Sequence, residues 1–279
     1  MSSISVAPDP SLVIVTFVAV TTPAPAPAAS DKNAALAAQL AALKAEWDEI
    51  EPQISGPAQR ARALLEEGGE ELEDLSRLTE AANACQGVLG MERQCAYPAN
   101  REKAEKLINT EFKVSEMRHK LLVRKAMILE RSKDFRSQED AIRAYNTALG
   151  VDQKVASTWT RYALALAKAR RWTEAVEATN EALKLDDRDE ARVLAARGFI
   201  YELGGASRLA ADTYERLVAI KPFAAVLRAR ALIAAGARQD AGKVLDELQS
   251  SLTEEQTTEL AIVHIYRARS AAAGDDLAA

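Results

Sequence analysis

The chain has 279 residues, 48% hydrophobic and 28% charged, with 36 Lys and Arg against 41 Asp and Glu for a net charge of -5. That apolar fraction excludes a wholly disordered chain, and the acidic balance argues against nucleic acid as the main partner, because neutralising phosphates needs a basic surface. Twelve Gly, nine Pro and 5% aromatics are sparse punctuation for a β sandwich or barrel, so the predicted class is all-α.

The first element is an apolar arm over residues 12–20, LVIVTFVAV, followed by TTPAPAPAAS. Together these look like the apolar and cleavage regions of a secretory signal, but no Lys or Arg precedes them, and Asp9 and Pro10 stand where positive charge belongs. The other reading is a β-prone arm on a stiff Ala/Pro tether. Export to the periplasm or beyond and cytoplasmic residence both stay open, with the missing positive region tilting toward the cytoplasm. No stretch reaches the roughly 18–20 apolar residues a spanning helix needs, so no membrane span is expected. Three regions are predicted: residues 1–30 as arm and linker, 31–100 as an acidic helical region, and 101–279 as a repeat solenoid with a C-terminal capping helix.

From Asp31 a helical seam begins, with Leu36, Leu40, Leu43, Trp47 and Ile50 spaced four, three, four and three apart. It is too short for a secure coiled coil, so packing onto the rest of the chain is the reading taken, with self-association as the alternative. Pro52 is expected to end this helix, with a turn at Ser55, Gly56 and Pro57 and a short helical piece through Ala61, Leu64 and Leu65. A further helix carries Leu72, Leu75, Leu78, Ala82, Cys85 and Leu89, its start crowded by Glu66, Glu67, Glu70, Glu71, Glu73 and Asp74. After Pro98 one or two helices cover residues 101–134, where basic residues predominate; acidic block and basic block are expected to attract each other.

Cys85 and Cys95 have the wrong spacing for a zinc site, and only His119 and His264 could complete one, so free thiols are the simpler reading, with a local disulfide between them as the alternative if the chain is exported. Each His is read as a helix-face residue. No phosphate loop, no G-x-S-x-G elbow and no H-E-x-x-H helix occurs. A non-enzyme is predicted, with no catalytic residue, metal or cofactor.

Internal periodicity is the strongest signal. Ala141, Ala175 and Ala210 fall 34 and 35 positions apart, and around each the pattern holds: Tyr145, Thr179 and Tyr214 four on, then Ala148, Ala182 and Leu217. Upstream lie Leu122, Ala126, Leu129 and Phe135; then Trp159, Tyr162, Ala163, Leu166 and Trp172; then Leu194, Gly198 and Tyr201. The first unit carries about three extra residues between Phe135 and Ala141. A degenerate fourth unit follows at Ala229, Gly236, Ala241, Leu245 and Leu248, and a final helix is expected from about Glu254 to Ala271, with Leu260, Ile262, Val263 and Ile265 inward. Small residues recur where two helices must approach closely.

This pattern resembles the tetratricopeptide repeat over residues 119–250, best in the unit from Trp159 to Ala182. The resemblance implies a helix-turn-helix solenoid whose concave face holds a peptide or partner helix. The register assigns to that face Val123 and Met127, Thr160 and Leu164, and Ala195 and Phe199, with Lys120, Lys168 and Arg192 toward the ends. An apolar floor with a basic rim fits a protein partner with aliphatic anchors and flanking acidic residues, and a homo-oligomer through the N-terminal helices is the alternative. The chaperone-tail binders of this family grip a C-terminal carboxylate with Lys, Asn and Arg, whereas Thr160, Arg161, Leu164, Arg192, Ala195 and Ala196 lack both Asn residues, so no such binding is expected.

Overall fold

The structure, a computed structural model, describes residues 29–67, 74–132, 134–185, 189–253 and 256–275. The predicted arm at 12–20 and most of its linker lie outside the described residues, as do Glu70, Glu71, Leu72 and Glu73. Every regular element is helical: α1 (Ala29–Glu67), α2 (Asp74–Val88), α3 (Pro98–Lys106), α4 (Val114–Arg131), α5 (Phe135–Val151), α6 (Ala156–Lys168), α7 (Trp172–Leu183), α8 (Glu190–Leu203), α9 (Ser207–Ile220), α10 (Ala225–Ala234), α11 (Arg238–Ser251) and α12 (Thr257–Asp275). Among these no helix is long and apolar enough to cross a membrane. The chain divides into two compact units, residues 1–45 and 46–279. In the first, Leu36 and Leu40 of the predicted seam are exposed.

In the second unit, the break expected at Pro52 does not occur: α1 continues through Pro52 and Pro57. The cause is a stripe of Ile50, Ile54, Ala58, Ala61 and Leu64, which falls on one helix face and is buried with Leu78, Cys85 and Val88 of α2 and Leu121 and Leu122 of α4. Burying Ile50, Ile54 and Leu64 stabilises the helix by about 1.5–3 kcal/mol each, which together matches the roughly 3 kcal/mol that each interior proline costs. The same core encloses Cys85 and Cys95 as free, buried thiols whose pKa burial raises.

The basic stretch forms α3, a single π turn (Leu107–Glu111) and α4. Glu46 accepts hydrogen bonds from the Ala96 backbone N–H at 2.6 Å and from Asn100 Nδ2 at 2.7 Å, placing a negative charge at the N-terminus of α3. Side-chain bonds to backbone carbonyls also join α1 to this stretch. Arg124 of α4 donates to the Leu64 carbonyl at 2.9 Å, and Arg62 of α1 to that of Glu111 at 3.0 Å.

From α4 onward the helices come in pairs: α4 with α5, α6 with α7, α8 with α9, α10 with α11, each joined by three residues. Three of the turns are built alike. Arg171 N–H bonds to the Leu166 carbonyl, Ala206 to Tyr201 and Ala237 to Leu232, across Arg170, Gly205 and Gly236 at φ of 60°, 76° and 77°. This is the left-handed helix stop that glycine adopts without strain. At the helix crossings, Ala126, Ala163 and Ala229 of the first helices and Ala141, Ala175, Ala210 and Ala241 of the second are fully buried. The extra residues of the first unit become an additional turn at the start of α5, capped by the Asp134 side chain on the Ser137 N–H. As a result Phe135, read as part of the core pattern, stands 72% exposed.

Helix α12 closes the array. Val263 is fully buried, Leu260 and Ile262 are half-buried, and Tyr266 packs on the same cluster, whereas Ile265 is exposed, against expectation. Ile265 is two residues from Val263, a rotation of about 200° around the helix, so both cannot face the core. His119 is a second correction: it is buried within α4, and its Nε2 shares a hydrogen bond with the Thr158 hydroxyl of α6 at 3.2 Å.

Candidate functional site: the face of the first helices

The first helices α6 and α8 pack on each other, and with α4 they open a cavity of about 740 Å3. Its walls are Glu130 of α4; Ser157, Thr160, Arg161, Leu164 and Lys168 of α6; and Arg192, Ala196 and Phe199 of α8. Each appears there because three- and four-residue steps return to one face of a helix. Thr160 turns its hydroxyl into its own helix, donating to the Ala156 carbonyl at 2.9 Å.

Of the nine residues assigned to the groove, Thr160, Leu164, Lys168, Arg192 and Phe199 meet in this cavity. Val123 and Met127 are half-buried against the core shared by the first and second pairs, and Ala195 against that of the third and fourth. Lys120 belongs to a different cavity, beside Arg62, Phe112 and Glu116, and pairs with Glu116 at 2.6 Å. Glu130 and Ser157 were not anticipated; Ser157, six residues before Ala163, stands at the register position that Arg192 holds before Gly198, whereas Glu130, four after Ala126, is one position short of the one that selected Lys168.

The electrostatics repeat along the array. Tyr145 donates its hydroxyl to Glu130 at 2.9 Å, Glu130 receives Lys168 of the next pair at 2.6 Å, and Arg161 also reaches the Tyr145 hydroxyl. Two pairs further on, Tyr214 donates to Glu202 at 3.1 Å and Glu202 receives Arg230 of the next pair at 2.6 Å. Burial first, and the neighbouring carboxylate second, push both tyrosines well above the usual phenol range, so they remain donors; the bond to Glu202 likewise keeps Arg230 charged. Each set is a clamp tying one helix pair to the next. No group of three His, Cys, Asp or Glu is gathered as metal ligands would be among the described residues.

Four consecutive helix pairs, three of them with one turn geometry, a register of small buried residues at the crossings and a recurring Tyr–Glu–cation clamp decide the architecture. The fold is a tetratricopeptide-like repeat array. No family model matches the chain, and no curated protein matches it. Solved structures similar to it include pilF of Pseudomonas aeruginosa, at 19% identity over 73% of this chain and 91% of that one with a TM-score of 0.41. Another is a tetratricopeptide repeat protein from Parabacteroides merdae ATCC 43184, at 12% identity over 80% and 93% with a TM-score of 0.37. The tetratricopeptide-like assignment rests on the repeated geometry of the chain itself.

Proposed function

We propose that this protein is a non-catalytic interaction module, an adaptor or assembly factor that holds a segment of a partner protein against α4, α6 and α8. The observation that carries this is the 740 Å3 cavity on the first-helix face, with Leu164 and Phe199 in its floor and Arg161, Lys168 and Arg192 around it. Phe199 is 43% exposed and lines this cavity beside Leu164, leaving apolar surface for a guest to cover. The basic rim on an acidic chain favours a segment with aliphatic or aromatic anchors and flanking Asp or Glu.

The test uses the full chain as bait for a display library of random short peptides. Peptides that bind wild type should lose binding to the Leu164→Asp/Phe199→Asp double variant while its helicity, read by circular dichroism, is kept. Retained binding in that variant refutes the groove.

A second reading is favoured by a separate observation: Leu36 and Leu40, in heptad spacing, are 55% and 58% exposed on α1. In that reading α1 joins copies of the chain into a scaffold that displays the repeats. Sedimentation of the full chain decides it: an oligomer that dissociates on Leu36→Glu/Leu40→Glu supports self-assembly, and a wild-type monomer contradicts it.

A further inference from the structure

The clamps do not occur at every junction. Register relates each clamp residue to its counterpart between the second and third pairs, and there every member is replaced. Thr179 stands in the place of Tyr145 and Tyr214, and Ala167 in that of Glu130 and Glu202. Ala196, Phe199 and Leu203 occupy the positions of Arg161, Arg230 and Lys168. These losses are mutually consistent: without the carboxylate, neither a buried tyrosine hydroxyl nor a cation would have a partner. Thr179 satisfies its own hydroxyl on the Val176 carbonyl at 2.7 Å, and Phe199 and Leu203 are left 43% and 46% exposed.

The face of the first helices is therefore not uniform. It has one open, apolar junction bordered on either side by a closed, ion-paired one. In the row that runs Met127, Leu164, Phe199, Arg230, the first is half-buried and the last is committed to Glu202. Of the apolar residues in this row, the middle two line the cavity. Packed helices lie about 8–10 Å apart, so the two closed junctions are roughly 20 Å from each other, the reach of about six extended residues. Around the open junction stand the cations Arg161, Lys168 and Arg192; Glu130 holds Lys168, and Arg192, 67% exposed, pairs with Asp189 at 3.2 Å.

We infer that the open junction between the second and third helix pairs receives one bulky apolar side chain from a short acidic segment of a partner protein, with the two clamps as its borders. This rests on the groove reading above and narrows it, from any segment lying along the solenoid to a motif of about six residues with a single anchor. The anchor seats between Leu164 and Phe199, and Asp or Glu beside it meets Arg161 and Arg192.

The experiment uses the peptides selected on the full chain. Their sequences should align on one Phe, Trp, Leu, Ile or Met with acidic neighbours, and replacing that residue by Ala should weaken binding roughly tenfold or more. Ala167→Glu with Phe199→Arg rebuilds a clamp at the open junction and should weaken binding as strongly; Phe199→Ala serves the same purpose if the double variant fails to fold. Arg230→Leu, which opens the border between the third and fourth pairs, should leave affinity within about twofold. Peptides that need Leu164 and Phe199 but spread their binding over several equal anchors, carry basic flanks, or lose affinity on Arg230→Leu overturn the single-anchor inference alone. Peptides indifferent to Leu164→Asp/Phe199→Asp, or no enrichment at all, overturn the groove reading with it.

Discussion

At Gly198 an added β-carbon would stand 2.3 Å from the ring of Tyr214, a ring held in place by its bond to Glu202. Ala fills the matching crossing positions 126 and 163, and Ala126 has Tyr145 at the register position of Tyr214, so the periodicity shows that something small is needed while the local closeness of α8 to the Tyr214 ring decides how small. Gly198→Ala gains about 1 kcal/mol of helix propensity but overpacks the crossing by about 1–3 kcal/mol. A lower urea midpoint is expected; a higher one would mean that α8 and α9 do not approach as described. Arg170 presents the opposite case. It occupies the left-handed position that Gly205 and Gly236 fill in the next two turns, where a side chain costs on the order of 1 kcal/mol. Arg170→Gly is expected to raise stability by about that amount in thermal or denaturant unfolding, and no gain would remove the equivalence of the three turns.

Among elements, the helix pairs were legible because close approach demands small residues at fixed intervals, and those intervals survive in the sequence. The continuity of α1 was not. A proline is a local signal, whereas the five-residue stripe that overrides it gains its worth only from α2 and α4, which lie far off in sequence. His119 was misread for the same reason, since nothing near it in sequence announces Thr158. This histidine ties α4 to α6 and gives that contact a pH dependence. Burial lowers its pKa first; Asp152 and Glu116 pull it up, and Lys120 lowers it further, with the net direction downward. The folded chain thus binds fewer protons there than the unfolded one, whose histidine titrates near about 6.5. Stability from the neutral form is complete above that value and is lost as pH falls through it toward the folded pKa. Denaturant midpoints of wild type should drop between about pH 7.5 and 5.5, and His119→Gln should flatten that slope. An equal slope in both proteins would show that His119 is not buried in the folded chain.

For the whole molecule, the sequence register brought five of the nine groove residues to one cavity and missed where that cavity ends. Borders depend on which cations are already held by carboxylates of the neighbouring pair, and Glu130 with Lys168 lie 38 residues apart on different helices. Residues 12–20, an apolar segment that could fill such a groove, lie outside the described residues. The central claim is that binding occurs on the face of the first helices, at the junction of α6 and α8. Amide hydrogen exchange of the full chain, with and without a peptide selected on it, measures this directly. Added protection concentrated in α6 and α8, with the second helices α7, α9 and α11 unchanged, is the predicted result; protection confined to those second helices or to α1 would contradict it.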